Sequence, residues 1–294
     1  MSKSSIPALL FAFLLLSLPT LYGESSPPNI ILLYADDLGY TDLSCQGSDY
    51  YRTPNIDRLA KEGMTFTNAY AAAANCAPSR ASLMTGLYTP RHGVFTVGNS
   101  DRGKAAHRRL IPATNKTVLT RDLPTMAQIL KHAGYRTAVA GKWHLSDDPI
   151  PYGFDTNFGG LKWGAPKSYF SPYRNPKLMD GPKGEHLPSR LATDLCHWIR
   201  KAEKKNERFF VYFPFYSVHT PIQARADLTA KYNGKSGTHH RNAKYAAMVE
   251  AMDLAVGQIL DLLDELKLAS NTLVVFTSDN GPHGGVSNAR PLRG

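Results

Sequence analysis

The sequence predicts an α/β fold, a mostly parallel β-sheet sandwiched by helices. Apolar, strand-like runs alternate with helical patterns along the chain, which is typical of a parallel sheet covered on both faces. The runs are almost free of charge, as strands buried on both faces tend to be. With 294 residues, of which 43% are hydrophobic, the chain is long enough to bury a sizeable core.

Four strands are predicted, and each is rich in β-branched or aromatic residues. They are residues 29–35, 137–141, 209–216 and 272–277. Helices are predicted between them at residues 54–62, 122–132, 188–204 and 242–267. Pro54 at a first-turn position favours the first of these helices. In the last one, apolar residues including Tyr245 and Met248 recur at helical spacing, which indicates core packing.

Residues 1–23 are predicted to be a secretory signal. Lys3 precedes an unbroken apolar run, residues 8–16, and Gly23 offers a small residue before a cleavage point. The run is short for a bilayer span, and no charged stop-transfer flank follows it. We therefore expect a secreted or periplasmic protein, lysosomal or extracellular if eukaryotic, with no stable membrane span.

The chain has three cysteines, Cys45, Cys76 and Cys196. An odd, sparse set does not make a disulfide framework, so at least one thiol needs another explanation; we take Cys45 and Cys196 to be structural. The net charge of +10 suits an anionic ligand, but a basic solvated surface is an equal reading. Without an aromatic-interleaved basic motif, no nucleic-acid partner is expected.

Two irregular stretches, residues 97–118 and 162–186, read as long surface loops. The second is rich in Pro, Gly, Lys and Tyr and has no periodicity. Long loops near a catalytic edge often bind substrate, although a simple solvated loop is an alternative for both.

Ionisable and amide residues follow all four predicted strands. In an open α/β sheet, ligands bind beyond the carboxyl ends of the strands, so these side chains are expected to meet. They are Asp36 and Asp37 after the first strand, Lys142 and His144 after the second, His219 after the third, and Asp279 and Asn280 after the fourth.

The acids and the amide in this set indicate a metal site. Adjacent carboxylates such as Asp36 and Asp37 repel each other unless a cation is near. An all-oxygen ligand set suits calcium or magnesium better than zinc. The imidazoles of His144 and His219 then remain free for proton transfer.

The sharpest motif is Cys76-Ala77-Pro78-Ser79-Arg80, followed by Leu83-Met84-Thr85-Gly86. Pro78 is well placed to open a helix, which would put Cys76 at the helix N-terminus, where free N–H groups and the dipole favour an anion. Arg80 on the first turn adds a fixed charge that can grip a tetrahedral oxyanion.

This run resembles the sulfatase signature, Cys-x-Pro-Ser-Arg followed by Leu-x-Thr-Gly, within the alkaline phosphatase superfamily. The resemblance spans essentially everything after the signal and implies the N-terminal domain of an alkaline phosphatase-like sulfatase. The family's other markers appear in order: Asp36-Asp37, Gly141-Lys142-Trp143-His144-Leu145, Val218-His219-Thr220-Pro221 and Ser278-Asp279-Asn280-Gly281.

The resemblance implies a hydrolase of sulfate esters, acting on a sulfated small molecule or a sulfated glycan. It implies that a formylglycine-generating maturation enzyme oxidises Cys76 to formylglycine, the family's nucleophile. The implied ligands of Ca²⁺ are Asp36, Asp37, Asp279, Asn280 and modified Cys76. The implied catalytic residues are Arg80, which holds the nucleophile, Lys142 and His219, which contact the sulfate, and His144, which acts as a base.

The sequence departs from the family pattern at its end. Family members usually continue Arg-Pro-Leu-Arg-Gly with Gly-Lys and a Glu-Gly-Gly segment, whereas this sequence stops at Gly294. We therefore expect residues 24–294 to be an incomplete catalytic domain lacking the C-terminal subdomain, with exposed apolar surface.

Two alternatives stay open from the sequence. The first is a phosphodiesterase or phosphonate monoester hydrolase of the same superfamily, because some of these share the cysteine-derived nucleophile. The second is an inactive fragment that binds sulfated glycans, because catalytic groups that act as a unit fail together.

Overall fold

A computed structural model of the chain describes residues 27–101 and 103–292. The predicted signal, residues 1–23, lies outside them. Among the described residues, no helix has the length and apolar character needed to cross a bilayer.

The helices and strands alternate along the chain as the sequence predicts. In chain order the elements are β1 (Asn29–Ala35), α1 (Pro54–Glu62), α2 (Cys76–Thr85), α3 (Thr89–His92), α4 (Met126–His132), β2 (Arg136–Ala140), β3 (Thr156–Phe158), α5 (Leu187–Glu203), β4 (Phe209–Pro214), α6 (Ala226–Ala230), α7 (Ala243–Glu265) and β5 (Thr272–Ser278).

The strands form one sheet in the order β3-β2-β4-β1-β5. All of its neighbouring pairs are parallel, which confirms the predicted fold class. Because β1 lies between β4 and β5, the carboxyl ends of these three strands open onto the same edge.

Each face of the sheet packs against its own apolar cluster. On β1, Ile31 and Leu33 belong to the cluster that includes the buried faces of α5 and α7. Leu32 and Tyr34 point to the other face and join the cluster that includes residues of α2 and α4. The alternation explains why the strand is apolar along its whole length.

The observed elements differ from the predicted ones at a few boundaries. The helix expected at 122–132 begins at Met126, because Thr125 and Gln128 form a capping box there. The three-residue strand β3 is not predicted, since it is too short and too weakly buried to give a pattern. β4 ends at Pro214, two residues earlier than expected.

Large apolar side chains are exposed at several places in the described residues. On one face of the edge strand β5, Leu273 and Val275 are open to solvent, and Met64, Phe66 and Tyr70 are exposed in the segment before α2. Whether these side chains face a further domain stays a prediction.

Asp253 of α7 supports the N-terminus of α1. Its carboxylate, fully buried, accepts the backbone N–H groups of Asn55 at 3.0 Å and Ile56 at 2.8 Å. Replacing Asp253 with Ala leaves these buried donors unpaired, so we expect a loss of about 2–3 kcal/mol in the free energy of unfolding. Urea unfolding measures it.

The matched control for this experiment is Asp261→Ala on the same helix. Asp261 makes only an exposed ion pair with Arg58 at 3.3 Å, so its loss should cost about 0.5 kcal/mol or less. Equal losses in the two variants would contradict the capping role of Asp253.

Candidate active site

The predicted site residues meet at the carboxyl edge of the sheet. Asp36 and Asp37 follow β1 and Asp279 follows β5, and one carboxylate oxygen from each lies within 4.8 Å of the others. The Asp37 N–H donates to Asp279 Oδ1 at 3.2 Å, and the amide of Asn280 donates to Asp37 Oδ1 at 2.6 Å. The sheet thus brings three acids and one amide from the two ends of the sequence into one cluster.

Two buried cations lie against this cluster. Lys142, which follows β2, donates to both oxygens of Asp36 at 2.8 and 2.6 Å. Arg80 of α2 donates through Nε and Nη2 to Asp279 at 3.0 and 2.7 Å, and its Nη2 lies 3.4 Å from Asp36 Oδ1. A third bond, from Nη1 to the carbonyl of Lys142, fixes the guanidinium on its remaining side.

The electrostatics of the cluster favour a further cation. When all three carboxylates are ionised they face two cationic side chains, which leaves one negative charge in excess. Burial raises the pKa of Asp36 well above its ordinary range even with Lys142 beside it. For Asp279, burial acts in the same direction, but the charges of Arg80 and Lys142 outweigh it and lower the pKa.

The amide of Asn280 has a buried oxygen that is left unpaired. Its nitrogen is used in hydrogen bonds, while its buried Oδ1 has no hydrogen-bond partner among the described residues. A buried acceptor without a donor is uncommon and needs an explanation. With the carboxylates of Asp36, Asp37 and Asp279, this oxygen completes an all-oxygen set that fits a hard divalent cation.

Cys76 occupies the first position of α2, as predicted, with Asn75 as the N-cap residue. The side chain is buried, and burial raises the pKa of the thiol, although the positive charge of Lys142 acts to lower it. An unmodified thiol here is therefore protonated and is a poor nucleophile.

His144 and His219 flank the cluster as neutral imidazoles. Burial, with the positive charges of Lys142 and Arg80, lowers the pKa of His144 to about 2. Burial also lowers the pKa of His219, helped by the charge of Lys142. His219 Nδ1 lies 2.7 Å from the carbonyl oxygen of Thr220; since a carbonyl only accepts, Nδ1 carries the proton and Nε2 is left as an acceptor.

Gly164 lies close to the ring of His144. A Cβ atom at Gly164 would lie 3.0 Å from the imidazole, so a larger residue there would require the ring or the loop to shift. Gly164 belongs to residues 162–186, the loop that the sequence indicates as a substrate-binding element.

A hydrogen-bond network around Asp42 supports the cluster, and the sequence did not predict it. Tyr245 donates to Asp42 Oδ2 at 2.6 Å and lies 3.3 Å from the Asp37 carbonyl. Asp42 also accepts from the Gly39 N–H and from Ser287 Oγ. The network holds the turn that carries Asp37 in place. In the sequence, only the position of Asp42 shortly after the two adjacent acids could have indicated it.

The comparisons with known proteins point to one family. The family model described as Sulfatase matches residues 28–294. A sulfatase of Formosa agariphila is 36% identical over 99% of this chain and 64% of its own length. The N-acetylgalactosamine-6-sulfatase of Homo sapiens is 33% identical over 88% of this chain and 51% of its own length.

Solved structures show the same likeness. The crystal structure of Ps i-CgsB in complex with k-i-k-neocarrahexaose is 31% identical, has a TM-score of 0.76, and is matched over 91% of this chain and 62% of its own. The phosphonate monoester hydrolase of Agrobacterium radiobacter, at 19% identity and a TM-score of 0.65, shares the fold. This chain therefore spans between about half and two thirds of the length of these relatives.

Arg80 is expected to be a main contributor to the stability of this edge. Replacing Arg80 with Ala leaves the buried carboxylates of Asp36 and Asp279 short of positive charge, which should cost about 3–5 kcal/mol in the free energy of unfolding. Urea unfolding of the variant measures this loss.

Arg58 provides the matched control, because it also has carboxylate partners, Glu62 and Asp264, but at the surface. Arg58→Ala should cost about 1 kcal/mol or less. If Arg80→Ala lost no more free energy of unfolding than Arg58→Ala, the buried network would contribute little to stability.

Proposed function

This chain belongs to the sulfatase family, and on that premise we propose that it hydrolyses sulfate esters to an alcohol and inorganic sulfate. The observation that carries the proposal is the oxygen cluster of Asp36, Asp37 and Asp279, with two buried cations behind it and Cys76 at the N-terminus of α2. Residues 24–294 would form the catalytic N-terminal domain, and residues 1–23 the signal for secretion or for the periplasm.

We propose that the cation is Ca²⁺, held by Asp36, Asp37, Asp279, Asn280 and the modified side chain at position 76. The orphaned Oδ1 of Asn280 and the excess negative charge support this assignment. When bound, such an ion supplies positive charge that stabilises developing negative charge on oxygen. The chain's own residues then bind, orient and exchange protons around it.

We also propose that Cys76 is converted to formylglycine by a maturation enzyme, which makes that enzyme a partner of this chain. The raised pKa of the thiol supports this, because an unmodified thiol would not serve as a nucleophile. When present, formylglycine supplies an oxygen nucleophile. Arg80 lies one helical turn from Cys76 and would hold that group in place.

The remaining site residues would bind the sulfate group and exchange protons. Lys142 is fully buried and cationic, and with His219 it would contact the sulfate oxygens, where positive charge lowers the barrier. The free Nε2 of His219 faces Asp37 at 3.7 Å. His144 is neutral and can accept a proton, and a bound sulfate would strengthen it as a base because a nearby negative charge raises a histidine pKa.

The substrate is proposed to be a sulfated glycan, with a sulfated small molecule as the simpler test compound. Two relatives support a glycan, the N-acetylgalactosamine-6-sulfatase and the Ps i-CgsB complex with k-i-k-neocarrahexaose. The phosphonate hydrolase supports only the fold at its identity of 19%, so hydrolysis of phosphorus esters is retained as the competing outcome in the assay.

Activity should depend on Cys76. We expect chain co-expressed with a formylglycine-generating enzyme to release sulfate from 4-nitrophenyl sulfate in the presence of calcium. Cys76→Ala should lower kcat by about 10³-fold or more, because the nucleophile is lost. Mass spectrometry checks the aldehyde, and Cys196→Ala, which changes a thiol outside the cluster, should retain activity.

Faster turnover of phosphate or phosphonate esters than of the sulfate ester would favour the competing hydrolase. Absence of sulfate release from verified formylglycine protein would instead favour a chain that binds sulfated glycans without hydrolysing them.

Calcium should stabilise the folded chain through Asn280. At a free calcium concentration of 100 times Kd, the free energy of unfolding should rise by about 2.7 kcal/mol. Asn280→Ala should weaken calcium binding by about tenfold or more, since a ligand oxygen is lost. Isothermal titration calorimetry measures the affinity, and Asp261→Ala, which removes an exposed carboxylate, should bind calcium normally. Unchanged affinity in Asn280→Ala would contradict the assignment.

A further inference from the structure

A cavity of about 550 Å³ lies beside the loop that follows His144. Its walls include Phe170, His186, Ser189, Arg225 and Asp227, from the loop, the start of α5 and the start of α6. Its volume lies within the range of pockets that bind small organic molecules. None of these residues belongs to the catalytic cluster.

Backbone hydrogen bonds hold the aromatic wall of the cavity in place. Residues 169–171 and 185–187 pair as antiparallel backbone, with the Leu187 N–H donating to Tyr169 at 2.8 Å and the Ser171 N–H to Glu185 at 3.0 Å. The pairing sets the rings of Phe170 and His186 at 5.0 Å between centroids. The wall therefore has a fixed shape before any ligand enters.

His186 is a buried part of the cavity wall. Its side chain is 5% exposed, and both ring nitrogens are buried. Burial and the charge of Arg225 lower the pKa of His186 to about 4, with the Gln223 backbone acting in the opposite direction. The ring is thus neutral.

The charged residues of the cavity cancel each other. Arg225 donates to the two oxygens of Asp227 at 3.1 and 2.6 Å, and both side chains are partly exposed to solvent. With His186 neutral, the cavity carries no net charge. An anion such as sulfate would gain little here, whereas a hydroxyl group, which both donates and accepts, matches the guanidinium and the carboxylate together.

The cavity is joined to the catalytic edge through Tyr169. Its hydroxyl lies between two carbonyl oxygens, Tyr216 at 2.5 Å and His219 at 2.9 Å, and its N–H donates to Gln223 Oε1 at 2.8 Å. Tyr169 directly precedes Phe170 of the cavity wall, and Gln223 lies two residues before Arg225. The segments that carry Phe170 and Arg225 therefore both connect the cavity to the turn that carries His219.

We propose that this cavity is a glycan subsite that holds an uncharged, unsulfated sugar ring of the substrate. Phe170 would pack against the apolar face of the ring, and Arg225 and Asp227 would bind neighbouring hydroxyls. The inference rests on the proposed function, because it takes the substrate of the catalytic cluster to be a sulfated glycan.

The test uses the whole chain and a desulfated neocarrahexaose, which carries no charge. The double variant Arg225→Gln/Asp227→Asn keeps the net charge of the pair and the shape of the side chain at position 227 but removes the charged donor and acceptor. We expect the oligosaccharide to bind about tenfold or more weakly to this variant by isothermal titration calorimetry. Arg200→Gln/Glu265→Gln, which alters an exposed pair between α5 and α7, should bind it like the unmodified chain.

Kinetics on the matured chain provide the second measurement. The cavity variant should lose about tenfold or more in kcat/KM for sulfated neocarrahexaose, while its turnover of 4-nitrophenyl sulfate stays within about twofold. Absence of binding of the desulfated sugar to the unmodified chain, or equal binding to both, would overturn the subsite. Absence of sulfate release from either ester with sugar binding intact would overturn the proposed function and leave the subsite standing.

Discussion

The candidate site depends on the guanidinium of Arg80. It joins Asp279 at the end of β5 to the carbonyl of Lys142 after β2, and it lies 3.4 Å from Asp36 after β1. Without this charge, burial and mutual repulsion would both oppose gathering carboxylates from separate strands. Since Cys76 and Arg80 lie four residues apart on α2, the contacts that hold Arg80 also place Cys76 beside the acids.

Much of this edge is predictable from the sequence. β1 and α1 have the predicted bounds, because uniformly apolar strands and a proline-led helix start leave clear patterns. The meeting of Asp36, Lys142 and Asp279 follows from a general property of parallel sheets, whose strands end at one edge. Here the sequence order of the motifs is enough to predict proximity across more than 240 residues.

The parts that escape prediction depend on long-range contacts between residues without a pattern. Tyr245 belongs to an apolar helical stripe, and only the structure shows its hydroxyl on Asp42, 203 positions away. His186 precedes α5 in an irregular loop, so nothing in its neighbours indicates that it is buried beside Phe170 and Arg225. In both cases the contact depends on one polar side chain. The periodicity of a sequence indicates only which face of an element a side chain is on, and it does not identify the residue that the side chain contacts.

The charges of the edge also limit how it can handle a sulfate ester, which is itself an anion. With all three carboxylates ionised, the two cations Arg80 and Lys142 leave the cluster at about −1, which would repel such a substrate. His144 and His219 cannot reverse this, because burial lowers the pKa of both. A divalent cation among the carboxylates changes the sum to about +1. Under the proposed function, the cation and the buried acids would therefore act as one unit, because the acids alone would repel the substrate.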